Sequence, residues 1–136
     1  MAKRTSKKDS ARKLAIEAAR IAHDNQSQDV VVLDLRGISP VTDYFVICTA
    51  TSGRQMRAVA EKIADYGESV GQPVWHSAGA GRGQWAVLDF VDVVLHVFDE
   101  TRRRYYDLEL IWGAAPKVRW KRRSRTGGPA EAPKRG

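Results

Sequence analysis

Asp89, Asp92 and His96 fall within eight residues of one another in DFVDVVLH. Two carboxylates and an imidazole are the side chains that hold a metal ion or pass a proton. A second group, Gly79-Ala80-Gly81-Arg82-Gly83, invites a phosphate-binding reading. It lacks the Lys-Ser/Thr ending of a nucleotide loop and leads into a strand rather than a helix, so a loop between strands fits it better. Cys48 is the only cysteine, which excludes an intrachain disulfide and a cysteine-based metal cluster. Its place inside Tyr44-Phe45-Val46-Ile47-Cys48 points to a buried structural thiol.

Whether the acidic pair and the histidine can cooperate depends on the strands that carry them. Trp85 to Asp89 and Val93 to Phe98 read as a hairpin running into a helix. A turn at Phe90-Val91 sets Asp89 opposite Asp92, Val87 opposite Val94 and Trp85 opposite His96. One face is then Ala86, Leu88, Val93, Leu95 and Val97, aliphatic throughout and therefore core. The other carries Trp85, Val87, Asp89, Asp92, Val94 and His96. On that face the aspartates flank the turn while His96 lies at the far end beside Trp85. The spread argues against a metal site or an acid–base set. It favours a contact surface, where tryptophan anchors are common.

The remaining elements follow in order. Leu14, Ala18, Ile21 and Ala22 form the stripe of a first helix from Ala11 to about Asn25. Val30 to Leu33 is a β-branched run suited to a strand covered on both faces. Tyr44 to Thr49 is the next strand. Ser52 and Gln55 have capping-box spacing, and Met56, Val59, Ala60, Ile63, Ala64 and Val70 continue a helical stripe that Gly71 and Pro73 end. Val74-Trp75-His76 is a short strand, Ser77 to Gly83 a mobile loop. Asp99 and Glu100 suit the start of a last helix through Tyr105, Leu108, Ile111 and Trp112. The order α-β-β-α-β-β-β-α describes an α/β domain, a mixed five-stranded sheet with helices packed on it. The segment from Tyr44 through the Ser52 helix to Val74 is long enough to join parallel neighbours.

With 136 residues, 43% of them hydrophobic, the chain suits one domain with tails. Its net charge of +7 is unevenly placed. Residues 1–13 hold six Lys/Arg against Asp9, and residues 116–136 hold eight against Glu131, leaving 14–115 with nine basic and fourteen acidic residues. An acidic body thus lies between basic ends. The expected division is a basic disordered tail over 1–10, a folded domain over 11–115 and a second basic disordered tail over 116–136. In that tail Arg119, Lys121, Arg122 and Arg123 would neutralise phosphates and Trp120 would stack on a base. Without an apolar leader or a run of about twenty apolar residues, the chain reads as cytoplasmic.

Several segments together resemble the ribosomal silencing factor family, RsfS, also called Iojap-like. They are Asp34-Leu35-Arg36-Gly37-Ile38-Ser39, Thr42-Asp43-Tyr44-Phe45-Val46-Ile47, Thr51-Ser52 with Arg54-Gln55, Trp85-Ala86-Val87-Leu88-Asp89, Asp92-Val93-Val94-Leu95-His96, and Tyr105-Tyr106-Asp107-Leu108-Glu109 with Trp112. The resemblance covers about residues 12–113. Two positions depart from the family pattern: Val91 stands where the family usually has glycine before the turn aspartate, and Leu110 where it often has arginine or lysine. The resemblance implies a fold related to nucleotidyltransferases, here without a Gly-Ser followed by an Asp-x-Asp pair, and a non-enzymatic factor needing no cofactor. It implies binding to the large ribosomal subunit through large-subunit ribosomal protein fourteen, which blocks joining of the small subunit and represses translation. Carried over by motif, the partner-binding residues are Trp85, Leu88, Asp89, Asp92, Val94, His96 and Tyr106. For Leu88 this conflicts with strand alternation, which turns it toward the core. The competing readings are a nucleotide- or RNA-processing enzyme using Asp89, Asp92 and His96, and a general RNA-binding protein acting through its tails. An exposed Trp85 face would also allow a homodimer when free.

Overall fold

The computed structural model describes residues 7–79, 85–105 and 113–122. Its elements are α1 (Lys7–Asp24), β1 (Gln28–Asp34), β2 (Tyr44–Thr49), α2 (Gly53–Ser69), β3 (His76–Ala78), β4 (Trp85–Asp89), β5 (Val93–Phe98) and α3 (Glu100–Tyr105). The five strands form one mixed sheet in the order β1-β2-β5-β4-β3. Only β2 and β5 pair in parallel; the other three pairings are antiparallel. The expected α/β architecture stands. The crossover through α2, however, does not join neighbours, because β5 and β4 lie between β2 and β3.

Both long helices pack on the same face. Ala11, Leu14, Ala15, Ala18, Ala19 and Ala22 of α1 are buried, and so many alanines bring its axis close to the sheet. α2 presents Met56, Val59, Ala60, Ile63 and Gly67. Between them and the strands lie Val32, Tyr44, Val46, Cys48, Ala86, Leu88, Val93, Leu95 and Val97, the alternation the hairpin predicts. Burial pushes the Cys48 thiol up to about 12, well out of the range of a reactive thiolate. α2 starts as its sequence requires. Ser52 Oγ accepts from Gln55 N at 3.0 Å, and the Gln55 carboxamide oxygen accepts from Thr51 N at 2.8 Å. It ends with Gln72 N donating to Gly67 O at 2.7 Å and Gly71 at φ +79°.

Among the described residues no long helix lies over the opposite face. At the β1 side, Leu33, Leu35, Ile47, Phe98 and Ala115 form a second cluster, with Val31, Phe45 and Trp85 packed on it. α3 closes one end: Asp99 caps it by accepting from Arg102 N at 2.7 Å, and the Arg103 guanidinium donates to Thr49 Oγ1 at 3.0 Å. The remainder of the expected final helix, 106–112, lies outside the described residues, as does most of the glycine-rich loop, 80–84.

Two boundaries differ from expectation at the chain ends. α1 begins at Lys7, inside the stretch read as an N-terminal tail. The larger correction concerns residues 116–122. Asp34 N donates to Pro116 O at 2.9 Å and Val118 N to Val32 O at 2.8 Å, so the returning chain lies antiparallel along the β1 edge. Val118 and Trp120 are buried with the helix-side core. The Trp120 indole donates to Val30 O at 3.1 Å, and Arg20 Nε donates to Trp120 O at 2.8 Å. Trp120 is therefore a core residue, not a base-stacking one. Sequence composition concealed this because the inward residues are only two and every outward neighbour is basic.

Replacing Trp120 with alanine is expected to cost about 3 kcal/mol in denaturant unfolding, the usual loss for a large buried side chain. Arg119→Ala, on the exposed side of the same strand, should stay within about 0.5 kcal/mol.

Candidate functional site

The β4–β5 hairpin is set two residues away from the expected register. Asp89 pairs with Val94, Val87 with His96 and Trp85 with Phe98. A shift of two preserves which side each residue faces, so the face assignments hold while the partners change. Phe90 N donates to Val93 O at 2.8 Å to close the turn, and the Asp89 carboxylate accepts from Val91 N at 2.7 Å. Val91 adopts φ +80° there. That conformation suits glycine, and a β-branched residue in it is strained. Beneath the turn Phe90 packs against α2 where Gly67 leaves room: a Cβ at Gly67 would come within 2.7 Å of the Phe90 ring.

Asp89 and Asp92 thus have local work. The Asp92 carbonyl accepts from Asp43 N at 3.0 Å and Tyr44 N at 3.1 Å, tying the turn to the start of β2. His96 lies apart from both, in a group of rings. Its centroid is 4.7 Å from that of Phe45, 5.9 Å from Phe98 and 6.2 Å from Trp85, and Trp85 stacks on Phe98 at 5.2 Å. Both imidazole nitrogens are shielded from solvent and have no hydrogen-bond partner among the described residues. Burial lowers the imidazole from 6.5 to about 4, so the ring is neutral at physiological pH. Among the described residues no three His, Cys, Asp or Glu side chains come together as metal ligands would. The geometry does not assemble an acid–base set from Asp89, Asp92 and His96.

At the turn end of this open face the surface becomes apolar. Val41 is 80% exposed, Trp75 74% and Val91 52%. With Val94, Thr42 and Asp89 they line a depression of about 240 Å³. Trp75 and Val91 also border a longer groove of about 710 Å³ running under the turn to Val70 and Pro73. Each exposed residue is held by backbone contacts. Trp75 N donates to Asp89 O at 2.8 Å, and Ser39 Oγ accepts from Val41 N at 3.1 Å. The Asp34–Arg36 pair at 2.7 Å, which holds the Asp34 carboxyl below its ordinary range, stiffens the start of the 36–43 connection.

The expected partner-binding residues therefore separate. Val94 and Asp89 line the depression, and Asp92 lines the longer groove under the turn. Trp85 and His96 are the half-buried floor of the neighbouring aromatic group. Leu88 is only 5% exposed and faces the helices, so alternation was right about it and the carry-over was not. Tyr106 and Arg123 lie outside the described residues. Arg119 and Lys121 are exposed on the added strand, and Arg122 pairs with Asp24 at 3.1 Å. Trp75 and Val41 are the residues that sequence reasoning missed. Trp75 was placed in a strand, but β3 begins only at His76, and the residue before a strand can turn its side chain to solvent.

Two measurements check this geometry. Val91→Gly should raise stability by about 1 kcal/mol by relieving the positive-φ strain, read as a shift in denaturant midpoint. His96 contributes stability that is complete above its unfolded value of 6.5 and lost as pH falls toward about 4. Over that interval the wild type should lose about 3 kcal/mol more than His96→Phe, which has nothing to protonate there.

Comparison with known proteins agrees with the geometry. Residues 8–135 match the family described as "Ribosomal silencing factor during starvation". The chain is 41% identical over 99 residues to ribosomal silencing factor RsfS of Bacillus subtilis, covering 73% of this chain and 84% of that one. It is 35% identical over 104 residues to the chloroplastic protein Iojap of Zea mays, of which it covers 45%. A crystal structure from Bacillus halodurans superposes with a TM-score of 0.67 at 33% identity, covering 81% of this chain and 97% of that one. One from Chromobacterium violaceum gives 0.69 at 30% identity, covering 86% and 94%. On the match over nearly its whole length and on the shared fold, the chain belongs to the ribosomal silencing factor family.

Proposed function

We propose that this protein represses translation by docking the turn end of its open sheet face on the large ribosomal subunit, against large-subunit ribosomal protein fourteen, and so excluding the small subunit. The observation that supports this reading is the exposed group of Val41, Trp75 and Val91 beside the half-buried Val94 and Asp89, at the turn end of the sheet face that no long helix covers among the described residues. Apolar side chains held rigidly at the surface, with a polar border, are what a specific protein interface requires. Ribosomal proteins are generally basic, and the acidic body of this chain offers complementary attraction to one. The basic ends contact neighbouring ribosomal RNA. Blocking is steric: a body of this size at the joining face needs no chemistry, and Asp89, Asp92 and His96 serve turn and core instead of turnover.

Co-sedimentation with separated ribosomal subunits tests the reading. Trp75→Ala and Val94→Asp should each weaken binding to the large subunit at least tenfold, about 1.4 kcal/mol or more. Both should restore joining of the subunits, and Trp75→Ala, at an exposed position, should do so while leaving the unfolding midpoint near that of the wild type. Undiminished large-subunit binding by both variants would sink the proposal.

A further inference from the structure

The residues that bury Val118 and Trp120 turn their neighbours the other way. In the β1-edge register, set by Leu33 opposite Lys117 and by the Val118–Val32 bond, Val31 lies opposite Arg119. Ala115 belongs to the open-face cluster, whereas Val118 and Trp120 belong to the helix-side core. By alternation Lys117 and Arg119 project on the open-face side, Lys121 follows at the end of the segment with its ammonium 6.0 Å from the centroid of the Trp120 ring, and all three are exposed. A groove of about 690 Å³ runs between this strand and β1. Arg122 anchors the end of the strand to α1 through both oxygens of Asp24, each at 3.1 Å. The three cations are thus carried on a backbone that is itself pinned at both ends.

We propose that Lys117, Arg119 and Lys121 form a folded binding strip for an RNA backbone. Successive outward residues of a strand are about 6.6 Å apart, comparable to the separation of neighbouring phosphates along a nucleic-acid strand. Because Trp120 is turned into the core, the strip offers charge without a stacking platform, so it tracks phosphates and reads no sequence. This deepens the ribosomal reading by moving the RNA contact from a tail to a rigid edge. It also puts that contact on the same sheet face as the apolar docking group, four strands away.

The test uses the full chain and a fluorescent 20-nucleotide polyuridine RNA, with anisotropy measured across a range of KCl. Lys117→Gln/Arg119→Gln/Lys121→Gln should weaken binding roughly tenfold and reduce the slope of log affinity against log salt by about 2, as expected for three lost contacts to a single strand. Arg54→Gln/Arg57→Gln/Lys62→Gln removes the same charge from exposed positions of α2 on the opposite face and should leave the slope nearly unchanged. Equal losses in the two variants, or none in the strip variant, would overturn the proposal. So would equal competition by a polyglutamate of matched charge. Independently of any variant, RNA should protect Lys117 and Lys121, but not Lys62, from acetylation. Failure here with intact large-subunit docking through Trp75 rejects the strip alone; loss of docking with an intact strip rejects the protein interface alone.

Discussion

Both long helices lie on one side of the sheet, and the rest of the molecule accommodates that asymmetry. The helix side can be filled with small and aliphatic residues because α1 and α2 supply matching apolar stripes. Among the described residues the other side has no such partner and is covered from the sheet itself and from the returning chain. Rings do much of this. Trp85, His96 and Phe98 stack and Phe45 meets His96 edge to face, each close pair adding on the order of 1 kcal/mol beyond its buried area. Ala115 and the added strand cover the β1 side. Among the described residues cover runs out at the β4–β5 turn, where Val41, Trp75 and Val91 stand exposed.

That turn is held by unusual means. Phe90 enters the space left by Gly67 in the middle of α2, a position where glycine ordinarily weakens a helix. The helix gives up some propensity so that the hairpin can be fixed to it. Above Phe90, Val91 is held in a left-handed conformation and its side chain points to solvent. A glycine would sit there more comfortably but would offer no methyl groups to a partner. The strain at Val91 and the apolar surface beside Trp75 therefore go together: the turn gives up stability and gains contact area.

Much of this was legible in the residues, and the failures have identifiable causes. Period-2 alternation assigned every hairpin residue to its side although the register was wrong by two, because an even slip leaves side-chain direction intact. It also placed Leu88 correctly where motif resemblance did not. Alternation could not choose the turn, since either aspartate could start an Asx turn and a valine at positive φ runs against residue preference. Composition misled at residues 116–122, where four basic side chains outweighed Val118 and Trp120; read with period 2, the same residues give a half-buried strand. Trp75 was invisible because nothing local decides which side a tryptophan takes just before a three-residue edge strand.

The charges on the open face can be weighed by distance. From the added strand, across β1, β2 and β5, to β4 is four inter-strand steps, about 19 Å at the usual spacing. Screening at physiological salt acts over roughly 8 Å, so the aspartates at the turn and the cations on the added strand do not neutralise each other through solvent. Each end keeps its own sign. What separates them is the ring group, and its one titratable member, His96, is held neutral by burial. A charged imidazole there would pull water into the middle of the face and add a positive charge between the two ends. Burial instead keeps the centre apolar, so that under the proposed reading a basic protein surface at the turn and a phosphate backbone at the β1 edge would each meet only the charge that suits it.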